Sequence, residues 1–273
     1  MAGVDKSDYS SRATRAARRV MIELSRALGE YRNDVVIVGG WVPELLIPGA
    51  GHVGSTDVDL ALDHRALEDP GYSTILKKLQ ERGYEQSEKQ PFIFYREIEI
   101  DGEPVRVEID FMAGEYGGTG RSHRTQEVQD VRARKARGCD LAFELSEEVD
   151  LEEELPEGGL DRARVRVAAF PAFLVMKAMA LAGRLKEKDA WDIWFCLRHH
   201  PEGLDDLAET LRPHAGHGLM QEALSHLEEK FASPEHVGPR MVADFDQITD
   251  EEARTRRMRD AYERVSYLIE ELK

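Results

Sequence analysis

Asp57 and Asp59, one residue apart in STDVDLAL, lie inside an alternating apolar run. On an extended strand both carboxylates point to one face. Two like charges there cost stability unless a cation lies between them. Asp110, in VEIDF, ends a later alternating run and is expected to supply a third carboxylate from a neighbouring strand. Three hard oxygen donors suit Mg²⁺, with Mn²⁺ as its substitute, because such an ion keeps positions for water and phosphate oxygens. Two ions held about 3.5–4 Å apart bind both the attacking and the leaving oxygen of an in-line displacement at phosphorus. Upstream, DVVIVGG ends in Gly39-Gly40. A turn without Cβ atoms lets backbone N–H groups approach triphosphate oxygens.

These residues need elements to hold them. Val20, Ile22, Leu24 and Leu28 pattern the N-terminal segment as an amphipathic helix. DVVIV reads as a buried strand, WVPELLI as a helix with Pro43 in its first turn, and TDVDLALD as a second strand. GYSTILKKLQERGYE reads as a helix stopped by Gly83. Two alternating runs joined at Asp101-Gly102 read as a hairpin, with Asp110 near the end of its second strand. Residues 114–138 read as a loop entering a basic segment, 139–143 and 164–168 as short strands, and the acidic run SEEVDLEEELPEGG as a solvated loop. Beyond Pro171 every apolar pattern is helical. The expectation is an α+β fold with a mixed β-sheet core flanked by helices and followed by a C-terminal helical bundle. Residues 1–170 form the catalytic domain with its N-terminal helix, and 171–273 a helical domain contributing to the active site.

The ordered set of strand, GG, helix, DxD strand and later acid resembles the DNA polymerase beta-like nucleotidyltransferase superfamily. A second motif narrows this. FLVMKAMALAGRLKEKDAWDIWFCL places Lys177, Arg184, Lys186, Lys188, Asp189 and Asp192 on adjoining helices. It is similar to the lysine followed by K/R-D-x-x-D of AbiEii/MenT-like nucleotidyltransferases, the toxins of type IV toxin–antitoxin and phage-defence systems. The resemblance implies transfer of a nucleoside monophosphate from an NTP to an acceptor, with tRNA 3′ ends the best-known class, and a cognate antitoxin as partner. Carried over, Asp57, Asp59 and Asp110 are the metal ligands, and Asp110 also draws the proton from the acceptor hydroxyl. Lys177 neutralises triphosphate charge, and Asp189 or Asp192 orients that lysine or the nucleotide. Gly39, Gly40, Trp41, Ser55, Thr56, Lys177, Arg184 and Lys188 make the nucleotide-binding set. Trp41 departs from the pattern, since relatives often carry a small hydroxyl residue after GG. The missing phosphate hydrogen bond then falls to Ser55 or Thr56.

Bulk composition bounds these readings. The 273 residues are 41% hydrophobic and 33% charged, with a formal net charge of −16, which excludes a general polyanion-binding surface. The Arg- and Lys-rich segment Arg121–Arg137 is the local exception, either docking an RNA backbone or a triphosphate or forming a salt-bridged surface helix. Cys139 and Cys196 form no metal or CxxC spacing and read as reduced, partly buried thiols. No run is long enough to span a bilayer, so a soluble, cytoplasmic protein without membrane contact is expected. Trp191, Trp194 and Phe195 read as core, and His199-His200 as a polar helix end. His52 and His123 fall in loops near the expected site without an assigned role. Two other functions stay open: nucleotide transfer to a small hydroxylated molecule, as in enzymes resembling aminoglycoside nucleotidyltransferases, or to a protein; and a non-catalytic nucleotide-binding module.

Overall fold

The computed structural model describes residues 5–63, 75–114, 125–128 and 131–273, which group into two compact units. The sheet unit comprises Tyr9–Leu46 and Gly54–Ala172. The helical unit comprises Met1–Asp8, Ile47–Val53 and Phe173–Lys273.

In the sheet unit the described strands are β1 (Val35–Val38), β2 (Asp57–Leu62), β3 (Glu85–Gln86), β4 (Ile93–Ile100), β5 (Glu103–Ala113), β6 (Thr125–Val128), β7 (Val131–Lys135), β8 (Ser146–Glu154) and β9 (Leu160–Ala168). They form one mixed sheet in the order β3-β4-β5-β2-β1-β9-β8. Beyond the end of β4, β7 pairs in parallel with the last residues of β5, and β6 pairs with β7. The β4–β5 hairpin turns through Asp101 and Gly102, both at positive φ (56° and 78°), the two-residue turn that matches strand twist.

Helix α1 (Ser11–Ala27) is capped by Ser10, whose hydroxyl accepts from the Ala13 N–H. Its apolar stripe, Ala16, Ala17, Val20, Met21 and Leu24, is buried on the sheet. Glu23 on that stripe is buried too, and it accepts both Nε (3.1 Å) and Nη2 (3.2 Å) of Arg96 on β4. That bidentate pair fixes the helix to the strand. Short helices α2 (Val42–Leu46), α3 (Ile75–Glu81) and α4 (Leu141–Glu144) complete the unit.

Three local expectations are corrected. Residues 139–143 hold a helical turn, not a strand: the N–H groups of Leu141, Ala142 and Phe143 each donate three residues back, and Leu145 donates to Leu141. A short apolar run fits either structure, and here the local hydrogen bonds decide. The acidic run is strand β8, not a solvated loop. Asp150 lies opposite Arg164 and Glu152 opposite Arg162, and both pairs are ion-paired, while Glu153 and Glu154 meet Arg18 and Arg19 of α1. Opposed charges on the partner strand let a sequence rich in Glu stay extended. Residues 125–128 and 131–135, within the segment 114–138, are the antiparallel strands β6 and β7 instead of a loop or a helix; VRARK alternates, and Ala133 is fully buried.

In the helical unit α5 (Phe170–Gly183) is followed by α6 (Glu187–His199), α7 (Leu204–Leu211), α8 (Gly218–Lys230), α9 (Val237–Phe245) and α10 (Glu251–Leu272). α6 packs on α9 and α10, and α10 also packs on α7 and α8. Trp191, Trp194, Phe195, Phe245 and Val265 make the centre, so the three α6 aromatics are core residues. α9 was not expected from sequence, because VGPRMVADF opens on Gly-Pro; Pro239 lies in its first turn, where the missing N–H costs nothing. Among the described residues no helix is long and apolar enough to cross a membrane.

Candidate functional site

Strand register brings the three sequence-marked acids to neighbouring backbone positions. β1 runs antiparallel to β2 with Val38 opposite Asp59, and β5 runs parallel to β2 with Asp110 beside Asp59. Adjacent strands lie about 4.8 Å apart. Asp57, Asp59 and Asp110 therefore share one face, while Val58, Leu60, Ile109 and Phe111 alternate to the other and are buried. Glu108, beside Asp57 on β5, adds a fourth carboxylate to the acidic face.

β1 ends at Val38, so the chain turns at Gly39 directly against Asp59. Gly39 has φ +71°, and a Cβ on it would fall 1.9 Å from Asp59 Oδ2 and 2.7 Å from Cγ. Only glycine meets both conditions. Gly40 is buried beside it, and Trp41 fills the turn, its indole Nε1 donating to the Asp57 carbonyl at 2.8 Å. The buried Ser55 hydroxyl donates to Asp57 Oδ1, so it is engaged with the acid rather than held out for a phosphate. Thr56 immediately precedes β2.

Asp110 is 9% exposed, and its Oδ2 accepts Nε (3.0 Å) and Nη2 (2.7 Å) of Arg134 on β7. With Asp57 turned to Ser55 and Asp110 to Arg134, no group of three or more His, Cys, Asp or Glu side chains among the described residues converges to hold a metal ion. In donor chemistry and backbone position the residues do fit a divalent cation. They are hard carboxylate oxygens on one face, and the turn beside Asp59 lacks the Cβ that would fill the space at its carboxylate.

The helical unit holds a buried charge network. Lys177 on α5 is 7% exposed and its Nζ donates to Asp189 Oδ1 (2.8 Å) and to Asp192 Oδ2 (2.7 Å) on α6. Lys188 Nζ contacts both Asp192 oxygens (2.8 and 3.0 Å), and Arg184 Nε donates to Asp189 Oδ2 at 3.0 Å. The three-residue step from Asp189 to Asp192 puts both carboxylates on the α5-facing side of α6. These are not surface charges. Burial alone opposes charging Lys177, yet Asp189 and Asp192 outweigh it and hold its pKa above the usual lysine value. Burial likewise opposes ionising Asp192, and Lys177, Lys188 and His52 together hold its carboxyl well below the usual range.

A protein-family model described as nucleotidyl transferase AbiEii toxin, type IV TA system, matches residues 24–271. The chain belongs to that family. No curated protein and no solved structure matches it. As a member of the AbiEii family it is a nucleotidyltransferase toxin of a type IV toxin–antitoxin system, with an NTP as substrate and a cognate antitoxin as partner.

For this AbiEii-family toxin, the structure groups Gly39, Gly40, Trp41, Ser55, Asp57, Asp59 and Asp110 in the sheet unit. It groups Lys177, Arg184, Lys188, Asp189 and Asp192 in the helical unit. Of the basic segment, residues 121–124, His123 included, and 129–130 lie outside the described residues. Glu108 and Arg134 carry no individual role in the sequence reading, and His52, expected near the site without a role, finds its place in the helical unit. His52 is buried, and its Nε2 lies 3.0 Å from Asp192 Oδ1, with the ring against Trp191 and Phe195. Glu108 carried a usable signal, being two residues before Asp110 on the same strand. Arg134 carried one too, since arginine at every second position in VRARK marks one face of a strand.

Proposed function

We propose that this toxin transfers a nucleoside monophosphate from an NTP to the 3′ end of tRNA or another RNA, in a reaction that requires Mg²⁺. The observation that carries this reading is the register of Asp110 with Asp59 beside the Gly39 turn, which puts carboxylates and a turn without a Cβ at one place. Asp57, Asp59 and Asp110 would hold the divalent cation. Bound there, it supplies charge neutralisation at the α-phosphorus and at the leaving oxygen. Asp110 takes the proton of the acceptor hydroxyl as that oxygen attacks the α-phosphorus. The bond from the α-phosphorus to the bridging oxygen breaks, and pyrophosphate leaves. Backbone N–H groups at Gly39-Gly40 take phosphate oxygens. Lys177, oriented by Asp189 and Asp192, would neutralise triphosphate charge, with Arg184 and Lys188 as further nucleotide-binding residues.

RNA as acceptor is supported by the toxin family and by Arg132, Lys135 and Arg137 in an otherwise acidic chain. The net charge of −16 favours a second reading, a cationic hydroxylated small molecule as acceptor. The two are separated by incubating the protein with each labelled NTP and Mg²⁺, with either total tRNA or an aminoglycoside. The RNA reading expects label on tRNA. Label on the aminoglycoside alone overturns it in favour of the second reading.

A further inference from the structure

We propose that Arg134 is a further residue of the acidic site, competing with the divalent cation for Asp110 and thereby setting how tightly the site takes that cation. The inference rests on the cation reading above.

The fold makes the competition structural. β7 pairs in parallel with β5 only through Met112 and Ala113, with Arg134 beside Met112. Asp110 is one pleat back on the same face of β5, and the arginine side chain reaches back along the strand to it. Nε and Nη2 both donate to Oδ2, at 3.0 and 2.7 Å, while Nη2 lies 3.6 Å from the Met112 sulfur. The carboxyl side chain is 12% exposed and the arginine side chain 35% exposed. This counter-charge is therefore mostly shielded from solvent on the acid's side.

A guanidinium offers only N–H donors and a positive charge, so it holds Asp110 against a second cation that approaches. A dication taking the same oxygen must displace Arg134 or accept a positive charge beside it.

The test is Mn²⁺ binding to the full-length protein without nucleotide, followed by the electron-spin-resonance signal of free Mn²⁺. R134A should bind Mn²⁺ about fivefold more tightly than wild type, the equivalent of losing one partly shielded ion pair. R134K, which keeps a charge but not the two-donor fork, should fall between them. D110N should bind weakly, and R134A/D110N no more tightly than D110N. If R134A does not fold, R134Q and R134K carry the comparison. Equal or weaker Mn²⁺ binding in the Arg134 variants overturns the inference. No Mn²⁺ binding by wild type and variants alike overturns the cation site together with it. Tighter binding in R134A without nucleotide transfer to any acceptor overturns the proposed function and leaves this inference standing.

Discussion

Gly39 and Asp59 touch across the end of β1: a Cβ at position 39 would overlap Asp59 Oδ2 at 1.9 Å. The turn is thus shaped around the carboxylate. Gly39→Ala carries two penalties, about 1–2 kcal/mol for the left-handed backbone and the displacement of Asp59 from its place. Gly49, at φ +78° with nothing near its Cβ position, carries only the first. Thermal melts should show G39A less stable than G49A, and nucleotide transfer should fail in G39A and persist in G49A. Equal activity in the two variants would detach the turn from the site.

The Lys177 network predicts a stability cost out of line with surface charges. Lys177→Ala leaves Asp189 and Asp192, 1% and 0% exposed, short of their shared cation. Breaking a buried pair in this way costs about 3–5 kcal/mol, read as a lower urea midpoint. Arg164→Ala, which removes an exposed pair with Asp150, should leave the midpoint nearly where it is.

His52 gives a pH dependence with a defined sign. Burial, with Lys188 and then Lys177 adding to it, pushes its imidazole down to about 4 from 6.5, against the pull of Asp192. The two lysines and Asp192 are among the charged groups acting on it. Between those values the unfolded chain binds a proton that the folded chain refuses, so stability falls as pH drops from 6.5 towards 4 and is flat above. The depression corresponds to roughly 3 kcal/mol over the window. Urea midpoints of wild type should slope there, and His52→Gln should flatten that part of the slope. Parallel slopes in the two proteins would refute this.

Cys139 and Cys196 are buried, 0% and 4% exposed, and burial pushes both thiols up, away from the reactive thiolate. A thiol reagent should label neither in the native protein and both in urea. Prompt native labelling would contradict the packing described.

Much of the sheet and the helical unit was legible because period-2 and period-3.6 patterns are strong in β2, β4, β5, α1, α6 and α10. The DxD and VEIDF strings marked two strands expected to be neighbours, but not their register; the Asp59–Asp110 alignment is a long-range fact that local pattern does not carry. β8 was hidden because its stability comes from arginines on β9 and α1, not from its own residues. α4 was hidden because a short apolar run fits strand and turn alike. His52 had no local signal at all: a lone histidine in a glycine-rich loop finds its partner, Asp192, 140 residues along the chain. Lys177, Asp189 and Asp192 were visible as spacing, whereas their burial as one network was not.

The most direct test of the account is transfer of label from NTP, with all four nucleotides offered, by wild type and by Asp57→Asn/Asp59→Asn, each with Mg²⁺ and with EDTA, in the presence of total tRNA. The account predicts label on RNA only for wild type with Mg²⁺, with the double variant silent although folded by its melting profile. Labelling that survives EDTA, or that the double variant retains, would contradict it.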